Sequence, residues 1–204
     1  MKLIQGKYEN TIIIQKSKFI GQAFRVNSIE EIEDILAKTR KKYYDATHNC
    51  YAYRLGNQIQ KMSDDGEPSK TAGAPILDVL IKQDIENILV IVTRYFGGIL
   101  LGAGGLVRAY SQATTAALEH AKFFHLEQQT QFRLTISYSA YQTLLKMMTY
   151  IIIEETSFMT DIIIQGHTKN ELYHQIKEDA YKYKLGDIKL TKLGVFPIEI
   201  PFDI

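Results

Sequence analysis

The chain has 204 residues, 46% of them hydrophobic, which is enough for one large domain or two small ones with folded cores. Its formal net charge of +1 excludes a polybasic protein, so charge alone does not indicate nucleic-acid binding, although a local basic patch stays compatible. The single cysteine, Cys50, excludes an internal disulfide, and no cysteines and histidines have the spacing of a zinc site.

The first part of the chain predicts strands interspersed with helices. Residues 8–15 contain three successive isoleucines, and residues 18–26 have the two-residue period of a half-buried strand. Ser28 and Glu31 form a capping box for a helix whose acidic start and basic end suit the helix dipole, so we interpret its basic run as a solvated helix end and not as a nucleic-acid patch. The further predicted elements are a strand over 49–55, a helix over 75–83, an apolar strand over 88–93 and an alanine-rich helix over 103–122.

A second unit is predicted after the polar residues 127–129. Its pattern gives a strand, a helix, two strands, a helix and a last strand, at residues 132–137, 140–150, 151–156, 161–165, 170–183 and 188–193. The order βαββαβ is that of a ferredoxin-like domain. We therefore expect an α+β protein with one domain over residues 1–128 and another over 130–204.

An acidic loop precedes the second predicted helix. Asp64, Asp65 and Glu67 lie within four positions, and such a group can bind a hard cation or act in acid–base catalysis. The spacing is shorter than that of a calcium-binding loop. The alternative is a structural loop held by Asx turns and by salt bridges to Arg94 or Arg108.

A glycine-rich segment links the apolar strand to the alanine-rich helix. Backbone N–H groups and a helix N-terminus at such a place can bind an anion, and arginines add donors suited to phosphate or carboxylate. The spacing matches neither common nucleotide-binding glycine motif, and the alternative is tight turning with close packing. The ligand-binding candidates of this segment are Thr93, Arg94, Gly97, Gly98, Gly104, Gly105 and Arg108.

The strand over 49–55 offers two further kinds of candidate. Tyr51 and Tyr53 share one face, and with Tyr95 they are candidates for stacking on RNA bases, unless the pair covers the sheet or a contact between domains. His48 and Cys50 also share a face. A buried structural cysteine is favoured over a catalytic Cys/His pair.

Four blocks occur in order between residues 45 and 110: DATHNCYAY at 45–53, SDDGEP at 63–68, TRYFGG at 93–98 and LGAGGLVRAY at 101–110. Together they resemble the signature of the IMPACT family, most closely its bacterial YigZ-like branch. The resemblance extends over the whole chain, because that branch carries a ferredoxin-like C-terminal domain. Two residues depart from the family pattern: Lys70 stands where a small residue, often glycine, is common, and Leu100 where lysine is frequent.

The resemblance implies a fold and a cellular process. The first domain would be similar to the second domain of a small-subunit ribosomal protein, with a left-handed βαβ crossover. The second would be similar to the last domain of the translocase elongation factor. Eukaryotic relatives act in translational control through an additional N-terminal domain, so we do not carry their partnership over. For the bacterial branch the resemblance implies contact with RNA or the ribosome and no established reaction.

These observations predict a translation-associated regulatory binding protein that is not an enzyme and needs no cofactor or metal. It would contact RNA, the ribosome or a translation factor through the surface formed by residues 63–110, here named the signature surface. The first alternative is an enzyme that uses a metal or a phosphorylated metabolite at the acidic loop and glycine-rich segment. The second is a protein–protein interaction module or homo-oligomer contact. With neither a signal peptide nor an apolar run of about 18 residues, we expect a cytoplasmic protein without membrane contact.

Overall fold

The computed structural model describes residues 2–56 and 58–202, which divide into two compact α+β units. The first unit extends to His125 and includes Pro201 and Phe202, and the second comprises Leu126–Ile200. The predicted class, a two-domain α+β protein, is confirmed. Within the described ranges, no helix is both long enough and apolar enough to cross a membrane.

The first unit is built on a five-stranded antiparallel sheet. Its elements in chain order are β1 (Leu3–Ile4), β2 (Lys7–Ile14), β3 (Ser17–Arg25), α1 (Ile29–Lys42), β4 (His48–Leu55), β5 (Ile59–Ser63), α2 (Gly73–Lys82), β6 (Ile88–Tyr95), α3 (Gly102–Leu118) and the start of β7 (Phe123–Ile136). The strand order in the sheet is β2-β3-β6-β4-β5, and every neighbouring pair is antiparallel. Strand β1 pairs with the first residues of β7.

Both faces of this sheet are covered, which explains why β6 is apolar along nearly its whole length. Helices α2 and α3 pack on one face, where Phe19 and Tyr110 are fully buried. Helix α1 packs on the other face through Ile32 and Leu36. The alanines of α3 permit a very close approach to the sheet, since a Cβ placed on Gly21 would lie 2.5 Å from the carbonyl oxygen of Ala113.

Helix α1 begins as the sequence predicts. The Ser28 hydroxyl accepts a hydrogen bond from the Glu31 backbone N–H, while the Glu31 carboxylate accepts one from the N–H of Asn27. Each side chain therefore satisfies a donor at or next to the helix start that has no partner inside the helix.

The second unit has the predicted element order βαββαβ. After β7 come α4 (Tyr138–Met147), β8 (Ile152–Phe158), β9 (Ile162–Lys169), α5 (Gln175–Lys182) and β10 (Lys189–Pro201). The strand order is β10-β7-β9-β8, and Phe132, Leu134 and Ile164 belong to the core beneath the helices. Residues 127–129, interpreted above as a boundary, lie inside β7. The predicted helix over 170–183 begins as a short 3-10 turn at Asn170–Leu172 before α5.

Candidate functional site

The first carboxylate of the acidic loop caps helix α2. The Asp64 carboxylate accepts hydrogen bonds from the backbone N–H groups of Lys70 (2.8 Å), Ala72 (3.0 Å) and Gly73 (2.8 Å). Ala72 stands at the N-cap position and has no side-chain acceptor, so Asp64 supplies the oxygen that the helix start lacks. Burial opposes ionisation of Asp64, but these three donors together lower its pKa.

The second carboxylate fastens the loop to β4. The Asp65 carboxylate accepts a hydrogen bond from the Asn49 N–H at 2.6 Å, and the Asp65 carbonyl oxygen lies 2.7 Å from His48 Nδ1. Because a carbonyl oxygen only accepts, Nδ1 carries the proton in this contact. The other ring nitrogen, Nε2, faces a carboxylate oxygen of Glu67 at 3.9 Å. The loop thus fixes the orientation of the His48 ring.

The third carboxylate forms a buried ion pair. Glu67 Oε1 accepts hydrogen bonds from Arg94 Nη1 at 2.6 Å and from the Tyr110 hydroxyl at 2.8 Å, and all three side chains are buried. The Arg94 guanidinium lies 5.5 Å from the ring centroid of Phe19 and 5.6 Å from that of Phe96, within cation–π range. Of the two structural partners considered for the acidic loop, Arg94 is the one observed. Arg108 is exposed on α3.

Cys50 is a buried structural residue. Its thiol donates a hydrogen bond to the Asp64 carbonyl oxygen at 2.9 Å and lies 3.4 Å from the Tyr110 hydroxyl. Burial, reinforced by the charges of Glu67 and neighbouring carboxylates, raises the pKa of the Cys50 thiol to about 12. Burial likewise raises the pKa of Tyr110. This buried environment disfavours the thiolate and fits the structural role that the sequence favours for Cys50.

The glycines of the segment after β6 have different roles. A Cβ on Gly97 would overlap the backbone of Lys16 and Ser17, so this glycine permits the strand end to pass the β2–β3 turn. Gly98 has a φ of +83° and Gly102 one of +67°, which other residues rarely adopt. Gly104 and Gly105, predicted to lie in the connection, belong to the first turn of α3.

Three candidates are buried. Thr93 is fully buried and its hydroxyl donates a hydrogen bond to Asn49 Oδ1. The rings of Tyr51 and Tyr53 are parallel, 6.4 Å apart, and buried in the cluster beneath α1. Because these rings are buried, the expectation that they present their faces to bases is corrected. The alternative, that they cover the sheet, agrees with their position. The hydroxyl of Tyr95, the third stacking candidate, donates a hydrogen bond to Asp45.

A cleft of about 380 Å³ opens where the acidic loop, the end of β6 and the start of α3 meet. We name it the signature cleft. Three of its lining side chains are ionisable: His48, Glu67 and Arg94. The other lining residues are Thr47, Pro68, Phe96, Leu100, Leu101, Gly102, Ala103 and Leu106.

Sequence reasoning found the polar part of this cleft and missed its walls. Asp64, Asp65, Thr93, Gly97, Gly98, Gly104, Gly105 and Arg108 do not line it. The missed residues are Phe96, Leu100, Leu101 and Leu106, because apolar side chains are usually assigned to the core. A usable signal was the apolar run 99–101, which follows two glycines and lies outside any strand or helix period.

The described part of the chain contains no convergent set of three His, Cys, Asp or Glu side chains that would hold a metal ion. The carboxylates of the acidic loop illustrate why: Asp64 and Asp65 bind backbone N–H groups, and Glu67 binds Arg94. The loop supplies one paired carboxylate to the cleft, that of Glu67, and it orients the imidazole of His48 on β4.

Comparison with known proteins identifies relatives of this chain. The Impact N-terminal domain model matches residues 15–118. IMPACT family member YvyE of Bacillus subtilis is 49% identical over 114 residues, 55% of this chain and 52% of that protein. An IMPACT family member of Haemophilus influenzae is 32% identical over 161 residues, 77% of this chain and 75% of that protein. IMPACT family member YigZ of Escherichia coli is 36% identical over 129 residues, 61% of this chain and 63% of that protein.

The likeness extends to a solved structure. A crystal structure described as that of a hypothetical protein matches 95% of this chain and 97% of its own at 25% identity, with a TM-score of 0.60. With YvyE, by contrast, the chain is aligned over only about half of the relative's length. The residues matched by the family model contain all four sequence blocks, and the family model and the Haemophilus relative together show the membership. The chain belongs to the IMPACT family, and its relatives include members of the bacterial YigZ-like branch.

Proposed function

We propose that this chain is a cytoplasmic, translation-associated regulatory binding protein whose signature cleft receives an apolar segment of a ribosomal protein or translation factor. The link to translation rests on the family, whose eukaryotic members act in translational control. The observation that carries the role of the cleft is the exposure of apolar side chains at its mouth. Leu100 is 86% exposed and Phe96 46%, and Ile99 and Val107, which adjoin cleft residues in the sequence, are exposed as well.

Exposed apolar groups that adjoin a cleft are typical of docking sites. Single exposed apolar residues are common, but a contiguous group at a concave surface usually marks a place where another molecule binds. The cleft is large enough for one or two side chains, and it combines apolar walls with a few polar groups, as binding pockets do. The buried Glu67–Arg94 pair fixes the polar part of the cleft.

A protein partner fits this surface better than RNA. Residues 63–110 contain more acidic than basic side chains, and the positive charge of Arg94 is paired with Glu67. RNA binding relies on lysine and arginine for phosphates and on exposed aromatic faces for bases. Among the exposed residues of α3, Arg108 is the cation that faces solvent near the cleft region. We therefore propose a protein partner and not RNA.

The two units also invite a comparison with translation proteins. We infer that the first unit is similar to the second domain of a small-subunit ribosomal protein and the second unit to the last domain of the translocase elongation factor. The βαββαβ order of the second unit and its strand order β10-β7-β9-β8 support this inference. Superposition of each unit on those domains tests it, and a TM-score below about 0.5 for either would contradict it.

The experiment compares three forms of the protein in binding to purified ribosomes, by co-sedimentation, and to purified translation factors, by gel filtration. The forms are the wild type, Leu100→Ser and the control Ile13→Ser, which alters an equally apolar residue that is 72% exposed on β2. Loss of one buried leucine contact costs about 1.5–3 kcal/mol, so we expect binding to weaken about 10- to 100-fold in Leu100→Ser only.

Salt dependence separates the two kinds of partner. Docking through apolar groups is expected to survive a change from low to moderate salt and treatment with ribonuclease. Binding that falls steeply with salt and is abolished by Arg108→Ala would indicate RNA contact instead. Absence of binding to ribosomes, factors and RNA at low salt would remove the proposal.

A further inference from the structure

We propose that the signature cleft recognises the free C-terminal carboxylate of a partner polypeptide whose last residue is apolar. This inference rests on the proposed function, because it names the part of the partner that enters the cleft. It is carried by the start of α3, by Arg94 and by the apolar walls.

The first support is the uncapped N-terminus of α3. Leu101 stands at the N-cap position and makes no capping hydrogen bond, and the next residues, Gly102 to Gly105, have no side chain that can accept one. Leu101, Gly102 and Ala103 line the cleft. The backbone N–H groups of a first helical turn have no partner within the helix and carry about half a positive charge in total, so they favour an anion.

The second support is an unpartnered donor on a buried arginine. Arg94 lines the same cleft and is only 5% exposed. Its Nη1 binds Glu67 and its Nη2 approaches the Ser17 hydroxyl at 3.5 Å, but its Nε has no hydrogen-bond partner among residues 2–56 and 58–202. Buried donors nearly always have a partner, and the guanidinium fork is suited to a carboxylate.

The charges of the cleft fit a single negative charge. Arg94 and Glu67 offset each other at 2.6 Å, and the remaining contribution is the positive end of α3. The cleft therefore favours a monoanion more than a highly charged group such as a nucleic-acid backbone.

The apolar walls of the cleft indicate which kind of carboxylate binds. Phe96, Leu100 and Leu106 line the cleft beside the start of α3, so the anion must carry an apolar group next to it. A C-terminal residue presents a carboxylate and an apolar side chain from the same Cα. The carboxylate of an internal aspartate or glutamate is joined to its backbone by methylene groups only. Capture of a chain terminus by backbone N–H groups is a known mode of peptide recognition.

The test uses fluorescence polarisation with labelled pentapeptide pools. Four positions are randomised and the last is leucine or phenylalanine, and each pool is made as the free acid and as the C-terminal amide. We expect the acid pools to bind at least tenfold more tightly than the amide pools, because only the acid offers a charged acceptor to the start of α3 and to Arg94.

Two variants of α3 show whether the helix start supplies the donors. Ala103→Pro removes one backbone N–H at a place where proline is tolerated, and Ala103→Ser keeps that N–H. We expect a fivefold or greater loss of acid-peptide affinity in Ala103→Pro alone, with amide binding and melting temperature unchanged.

Each outcome decides between the two proposals. Equal affinity for acid and amide pools, or no acid binding up to about 1 mM, would overturn carboxylate recognition, while Leu100-dependent binding of ribosomes or factors would leave the proposed function standing. Acid binding without any binding of ribosomes or factors would overturn the proposed function alone. Octanoate that competes as well as the acid peptide would identify a small apolar carboxylate and overturn the polypeptide assignment.

Discussion

The first unit contains two helix starts that the sequence marks as candidate ligand sites. The structure shows that the two differ. Helix α2 follows a loop of three carboxylates, and one of them, Asp64, caps it. Helix α3 follows a glycine-rich segment, and no side chain caps it. The carboxylates of the acidic loop thus form hydrogen bonds and an ion pair that stabilise the fold. The start of α3, in contrast, is uncapped and lines the signature cleft. The comparison shows that a cluster of carboxylates in a sequence does not by itself indicate a ligand site.

The largest expected effect comes from the ion pair that joins the acidic loop to the cleft. Arg94→Ala leaves the buried Glu67 carboxylate with only the Tyr110 hydroxyl and the distant His48 ring, and breaking such a pair costs about 3–5 kcal/mol. We expect the melting temperature to fall by roughly 10 °C or more. The control Arg108→Ala alters an exposed arginine of α3 and should change stability by less than about 0.5 kcal/mol. An unchanged melting temperature in Arg94→Ala would show that Glu67 finds another partner.

The next effect separates two glycines of the same segment. Gly97→Ala forces a Cβ into the backbone of Lys16 and Ser17, and such overpacking costs about 1–3 kcal/mol. In Gly104→Ala the new Cβ lies no closer than 3.7 Å, to Arg108 Nη1, and the alanine favours the helix by up to about 1 kcal/mol. Chemical denaturation of both variants measures the difference. Similar destabilisation in the two variants would contradict the conclusion that Gly97 is required by close packing and Gly104 is not.

The third effect concerns the cap of α2 and its dependence on pH. Asp64→Asn replaces a charged acceptor of three N–H groups and should cost about 1–2 kcal/mol at pH 7, whereas Asp78→Asn on the exposed side of α2 should cost little. The pKa of Asp64 is lowered in the folded state, so its contribution is complete above the unfolded value of about 3.9 and is lost as pH falls through the folded value. When the free energy of unfolding is measured with urea between pH 2 and pH 7, it should therefore fall less at acidic pH in Asp64→Asn than in the wild type. Parallel curves for the two proteins would contradict this role.

How much of this fold could be predicted from the sequence depends on how far apart along the chain the interacting residues lie. The cap of α1 was predictable because Ser28 and Glu31 are three residues apart, and β6 because burial on both faces leaves a continuous apolar run. Strand β5 was missed because its residues are almost all exposed, and only its pairing with β4 makes it a strand. The polar stretch 127–129 was interpreted as a boundary between domains, and in the structure it lies inside strand β7.

The site was less predictable than the fold because it depends on contacts between distant residues. Glu67 and Arg94 could be named from their residue types, but their pairing joins segments 27 residues apart. Asp64 reaches the start of α2 eight residues later, and nothing in a local pattern distinguishes such a cap from a metal ligand. The family resemblance pointed to the segments that contain the residues lining the signature cleft. The direction in which each side chain points had to come from the structure.

The smallest effect tests a departure from the family pattern within the acidic loop. Lys70 has a φ of +63°, a left-handed conformation that costs a residue with a Cβ about 1 kcal/mol or more and costs glycine little. A glycine at this position, as the resemblance implies for the family, would avoid that strain, and the N–H donates to Asp64 in either case. We expect Lys70→Gly to raise the unfolding free energy by up to about 1 kcal/mol, since the relief of strain exceeds the greater freedom of glycine in the unfolded chain. Ser69→Gly, at an exposed neighbour without a positive φ, should give a small loss instead. If both variants lose stability equally, Lys70 is not strained. Residues with a Cβ would then adopt the conformation of position 70 without a measurable cost.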